Sequence, residues 1–152
     1  VIFDVENILK AVKLLRSGFT LTYPYNGNFT DINRSYIQDG IIKKSSDSYV
    51  LKSYGGACFL NRADYIKCGL ENENLKGGHV PDDVERLSRI QKLGFPIERT
   101  AGACYHIQHP PGPDMGNRNK LREQNEAEYT KVNNMAKADL IKYIETWEWV
   151  KK

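Results

Sequence analysis

"YGGACFLNRADYIKCGLENENLKGGHVPDDVERLSRIQKLGFPIERTAGACYHIQHPPG", residues 54–112, carries the signals on which the fold turns. A Gly-Gly break separates β-rich runs, a short helix starts near Asn61 to Asp64, and a turn of Gly, His and Pro follows. From Asp82 to Leu93 the apolar positions Val84, Leu87, Ile90 and Leu93 recur at helical spacing, and Gly94 ends the helix. "FPIERTAGACYHI" then reads as a strand, closing on His106 and His109 before a Pro/Gly-rich loop that cannot be regular structure. If that strand continues as far as Gln108, the two histidines point to opposite faces.

Upstream, Asp4 is suited to cap a helix over Val5 to Arg16, with Ile8, Leu9, Val12 and Leu15 as its buried stripe and Gly18 as its stop. "FTLTYPY" reads as a short strand and Asn26-Gly27 as a turn, after which the chain to Asp47 is polar and broken apart from Ile41-Ile42. Gly55-Gly56 interrupts an otherwise continuous strand, as glycine does at a bulge or where a ligand approaches the backbone. Downstream, "NKLREQNEAEYTKVNNMAKADLIKYIETWEWV" predicts a long, polar, interrupted helix.

The 152 residues, 40% hydrophobic and 27% charged, can bury a real core in one globular domain. The net charge of +3 is dispersed, without the basic run or aromatic interleaving of a nucleic-acid surface. No apolar run approaches the roughly 20 residues that span a bilayer, and no signal peptide opens the chain, so a cytoplasmic location, peripheral to the membrane at most, is expected. Cys58, Cys68 and Cys104 lack CxxC spacing and are expected as buried, reduced thiols. The start at Val-Ile-Phe-Asp without Met reads as a piece of a longer protein whose first residues end a strand begun upstream.

Four features carry chemistry: Gly55-Gly56, Asp82-Asp83, the spacing His106-x-x-His109, and the loop after it. An Asp pair opening a helix is by itself a cap that complements the helix dipole. Histidines at a strand end do not have the i, i+4 spacing of a helical zinc site. Taken in order, however, these features resemble the C-terminal half of metal-dependent glycosyltransferases of the GT-A fold, in particular the galactosyltransferase and chondroitin-synthase type of catalytic domain. There a Gly-Gly segment precedes Gly-Trp-Gly-Gly-Glu-Asp, a helix containing Arg-Leu, and a strand ending in a metal-binding His.

Matching Arg89-Ile90 to the family's Arg-Leu and counting back without gaps puts Asp82 on its Glu and Asp83 on its Asp. The resemblance therefore implies Asp83 as the base that takes the proton from an acceptor hydroxyl, a step such a poor nucleophile needs. It implies Asp82 as holder of acceptor hydroxyls, Gly55 and Gly56 as close backbone approach, and His106 or His109 as ligand of Mn²⁺ or Mg²⁺. His79 stands where the family has its sugar-stacking Trp, and Val80-Pro81 replace Gly-Gly.

The family's Asp-x-Asp metal motif has no counterpart in the chain; "DVE" at Asp4 to Glu6 has the spacing but lies where a helix begins. The implied fold class is α/β, the C-terminal portion of a GT-A fold with a mixed sheet and flanking helices. Residues 1–115 form the partial transferase domain, its nucleotide-binding half missing, and 116–152 a helical extension. The implied function is transfer of a sugar from a nucleotide-sugar donor to a saccharide or glycoconjugate acceptor, inverting and inactive in the fragment alone. A non-catalytic carbohydrate-binding domain and a metal-dependent hydrolase are the alternatives.

Overall fold

The structure is a computed structural model, and it describes residues 1–39, 41–42, 50–77, 81–110 and 121–151. The chain is mixed α/β, with small mixed sheets and flanking helices. It divides into two compact units, one of residues 1–60 and 97–110 and the other of 61–96 and 111–152.

In the first unit Ile2 forms a single antiparallel bridge with Tyr105. Helix α1 (Val5–Arg16) follows, with the Asp4 carboxylate accepting the Glu6 N–H at 2.9 Å. Its buried face differs from the expected stripe. Asn7 and Ala11 are buried, whereas Leu9 is 57% exposed, because the helix lies on the sheet through small and polar residues. The buried Thr22 hydroxyl, for example, donates to the Ala11 carbonyl at 3.1 Å.

Strands β1 (Leu21–Tyr23) and β2 (Asn28–Ile32) run through the middle of two three-stranded sheets. Strand β2 falls in the stretch read as polar and broken, which is a correction. A short hairpin, β3 (Ile37–Gln38) with β4 (Ile41–Ile42), follows. Strand β5 (Val50–Lys52) pairs antiparallel with β2, and β6 (Phe59–Leu60) antiparallel with β1. The single strand expected over "FPIERTAGACYHI" is two: β7 (Ile97–Arg99), parallel to β1, and β8 (Cys104–Ile107), parallel to β2.

All three lines of chain thus change sheet at the same level. Backbone bonds across the break hold them in step, Asn26 N–H to Gly102 O at 2.9 Å and Ser53 N–H to Gly27 O at 2.8 Å. Gly56 and Gly102 have φ of +84° and +91°, a left-handed backbone that costs an L-residue about 1–2 kcal/mol. A Cβ on Gly102 would lie 2.4 Å from Asn7 Nδ2, and one on Gly56 3.2 Å from both Cys104 Sγ and the Phe29 ring. The Gly-Gly break is a crossing between sheets, and the protein's own packing already fills the space beside Gly56. Under the break the Tyr25 hydroxyl bonds the carbonyls of Gly55 and Ser53, and the Arg99 guanidinium lies over Tyr23, 4.1 Å from the ring centre. Burial pushes the Tyr25 phenol above its ordinary value.

The second unit holds α2 (Arg62–Lys67), capped by Asn61, and α3 (Asp82–Leu93), followed by Gly94. Leu87, Ile90 and Leu93 are buried as expected, but Val84 is 38% exposed. The expected C-terminal helix is two, α4 (Arg122–Asn134) and α5 (Lys137–Glu145), broken at Met135 and Ala136, and both pack on α3. Val132, Leu140, Ile144 and Trp147 complete this core. At its centre Arg89 is 0% and Glu85 1% exposed; Arg89 Nε donates to Glu85 at 2.8 Å and Nη2 to the Leu70 carbonyl at 2.8 Å. Arg89 also donates to the Cys68 carbonyl, so a buried guanidinium satisfies the carbonyls at the end of α2.

Candidate functional site

The parallel register of β2 and β8 sets Asp31 beside His106. Their side chains share a face, and His106 Nδ1 lies 2.7 Å from Asp31 Oδ1. The His106 ring stacks on Phe29, two residues before Asp31 on that face, with centres 5.3 Å apart. Since Phe29 also abuts Gly56, the fold brings Gly55-Gly56 and the histidines into one neighbourhood of the first unit.

Strand β8 ends at Ile107, short of Gln108, so the two imidazoles do not diverge as the longer strand would require. The chain turns and brings His109 Nε2 to 3.3 Å from His106 Nε2, while His109 Nδ1 sits 2.8 Å from the Pro110 carbonyl. The tautomers follow from the partners. A carboxylate and a carbonyl only accept, so each Nδ1 carries its ring's proton and each neutral ring turns a lone pair on Nε2 toward the other. Lone pairs facing at that distance repel unless a proton or a cation lies between them.

The spacing suits a cation. An ion bound through metal–nitrogen bonds of about 2.0–2.1 Å at a tetrahedral angle holds two donors about 3.3 Å apart. Imidazoles whose Nδ1–H is held by a carboxylate or carbonyl are the usual oriented metal ligands. That bond length and angle are those of zinc sites; Mn²⁺ and Mg²⁺ favour oxygen donors, so either would need oxygen ligands beside the two imidazoles. Among the described residues no group of three or more His, Cys, Asp or Glu side chains converges on a point that could hold a metal, so a pair of histidines is what the described residues offer.

Asp82 and Asp83 belong to the second unit, in the first turn of α3. Neither acts as a side-chain cap: Pro81 occupies the cap position and no side chain bonds the free N–H groups. Asp83 instead pairs with Arg86, which also donates to Glu71 at 2.7 Å. Asp83 is half-buried, and desolvation lifts its carboxyl above the ordinary aspartate value; Arg86 opposes this and Asp82 adds to it. His79 lies outside the described residues, as does the loop after Pro110.

Burial pushes the thiols of Cys68 and Cys104 up to about 11, which keeps them protonated and inert. Cys58 is half-buried rather than buried. Among the described residues no helix is long and apolar enough to cross a membrane. Asp31 was not legible as a site residue, because only the β2–β8 register joins it to His106. Compared with known proteins, the chain matches no family model, no curated protein and no solved structure.

Proposed function

We propose that this chain carries the acceptor-side machinery of a metal-dependent, inverting GT-A glycosyltransferase, which moves a sugar from a nucleotide-diphosphate donor to a saccharide hydroxyl. The observation that carries the reading is the histidine pair: Nε2 atoms 3.3 Å apart, with both Nδ1 atoms committed to acceptors. His106 and His109 would hold Mn²⁺ together with oxygen ligands from outside these residues. Bound there, the cation supplies a positive charge to the departing nucleoside diphosphate.

The remaining work falls to carboxylates. Asp83 accepts the proton of the acceptor hydroxyl as that oxygen bonds the anomeric carbon, and Asp82 holds neighbouring hydroxyls. A base whose proton affinity is raised by burial takes that proton more readily than an exposed aspartate, provided it remains ionised at working pH. Arg86 holds the Asp83 carboxylate in position.

The test is the intact protein with a panel of nucleotide sugars, Mn²⁺ and saccharide acceptors. Asp83→Asn should lower kcat by about 10²–10⁴-fold, the usual worth of a general base, with donor affinity unchanged. Undiminished turnover in this variant would overturn the base assignment. Absence of any transfer by the intact wild-type protein across the panel would overturn the reading itself.

A further inference from the structure

Glu71 is an exposed carboxylate in the turn after α2, and both its backbone and its side chain are held. Leu70 before it has a left-handed φ of +62°, and the Leu70 carbonyl accepts from buried Arg89 at 2.8 Å. Asn72 after it is buried and donates to Glu128 at 3.0 Å. The Glu71 side chain has two donors on one oxygen: Oε1 accepts from the Tyr65 hydroxyl and, at 2.7 Å, from Arg86 Nη1. Burial, and after it the Glu71 carboxylate, raises the Tyr65 phenol above its ordinary value, so Tyr65 keeps its proton and remains the donor.

Arg86 links this carboxylate to Asp83. Its side chain is only 8% exposed, and the two ends of its guanidinium go to different acids, Nη1 to Glu71 and Nη2 to Asp83 Oδ1. A guanidinium is a rigid plane, so anchoring Nη1 also sets the direction of Nη2. Tyr65, Glu71, Arg86 and Asp83 thus form one line of bonds from α2 to the first turn of α3, all within the second unit. The charges along it act on Asp83 in opposite senses. Burial is the main influence raising its carboxyl; Arg86 opposes this, while Asp82 on α3 and Glu71 in the turn after α2 add to it.

We infer that Glu71 is a positioning residue for Asp83, acting through the shared Arg86 guanidinium to fix the carboxylate that takes the acceptor's proton. The inference rests on the transfer reading, which makes Asp83 the base. Glu71 does two separable things. Its oxygen anchors the guanidinium, and its charge offsets part of the attraction by which Arg86 would otherwise hold Asp83 ionised and weakly basic.

Two variants of the intact protein separate these roles. Glu71→Ala removes the anchor and should lower kcat about 10²-fold, the cost of misplacing a reacting group by an ångström, with the KM for the nucleotide sugar unchanged. Glu71→Gln keeps an oxygen that can accept from both Tyr65 and Arg86 and loses only the charge. It should retain most of kcat, while the acid limb of kcat/KM moves to lower pH, because Arg86 then holds Asp83 ionised further into acid. A ¹³C NMR titration of the Asp83 carboxyl, assigned by its loss in Asp83→Asn, should show the same downward shift without any turnover. Undiminished kcat in Glu71→Ala, or an Asp83 titration that stays in place in Glu71→Gln, would each overturn the inference. Absence of transfer by the wild-type protein, with the Asp83 titration still moving in Glu71→Gln, would overturn the transfer reading and leave the coupling of Glu71 to Asp83 standing.

Discussion

The histidine pair is the most specific chemistry at the scale of single residues, because each ring is oriented by a partner on its Nδ1. Asp31 and the Pro110 carbonyl fix both protons, and Phe29 fixes one ring. Calorimetric titration with Mn²⁺ should therefore show binding that His106→Ala and His109→Ala each abolish. Asp31→Ala, which frees the His106 ring without removing a ligand, should weaken that binding about 10–100-fold. Equal binding in all three variants would reject the metal site. Asp83 makes a pH prediction of its own. Its carboxyl must be ionised to accept a proton, and burial raises its affinity for one, so the acid limb of kcat/KM should lie above the ordinary aspartate value of about 3.9. Rates should fall as pH drops through that raised value, and the limb should vanish from the residual activity of Asp83→Asn.

Within the elements, the sequence signals held where they were local and failed where pairing decides. The boundaries of α1 and α3 follow from Asp4, from the apolar spacing and from Gly94, all adjacent in the chain. Which faces they bury is another matter, since Leu9 and Val84 turn outward while Asn7, Glu85 and Arg89 turn in. A polar residue reads as surface until its partner is known, and the partners of Arg89 include the carbonyls of Cys68 and Leu70. Arg89→Ala should destabilise the chain by about 3–5 kcal/mol, because Glu85 would be left charged and buried; chemical denaturation measures it. A loss under 1 kcal/mol would mean that Glu85 finds water. The break shared by the two sheets makes a similar demand. Gly56→Ala combines a left-handed backbone with contacts at 3.2 Å, and should cost upward of about 1–2 kcal/mol.

For the molecule as a whole, each compact unit is assembled from two separated stretches of sequence. The helices after residue 120, expected as an extension, complete the core against which α3 buries Leu87, Ile90 and Leu93. A chain ended after residue 115 should therefore lose hydrogen-exchange protection at the α3 amides, while α1 in the first unit retains its own; full protection of α3 would show that its core needs no C-terminal helices. By itself the sequence determined the bounds of α1 and α3, the Asp4 cap of α1 and the mixed α/β character, because propensity, periodicity and turn chemistry act between neighbours in the chain; Asp82, Asp83, His106 and His109 are its candidates for chemistry. Tertiary structure alone decided that "FPIERTAGACYHI" splits between two sheets, that Asp31 meets His106, that the imidazoles face each other, and that Arg89 is buried on the carbonyls after α2. Those outcomes depend on strand register and on contacts between segments dozens of residues apart, and no local preference encodes which partner a strand or a buried donor will find.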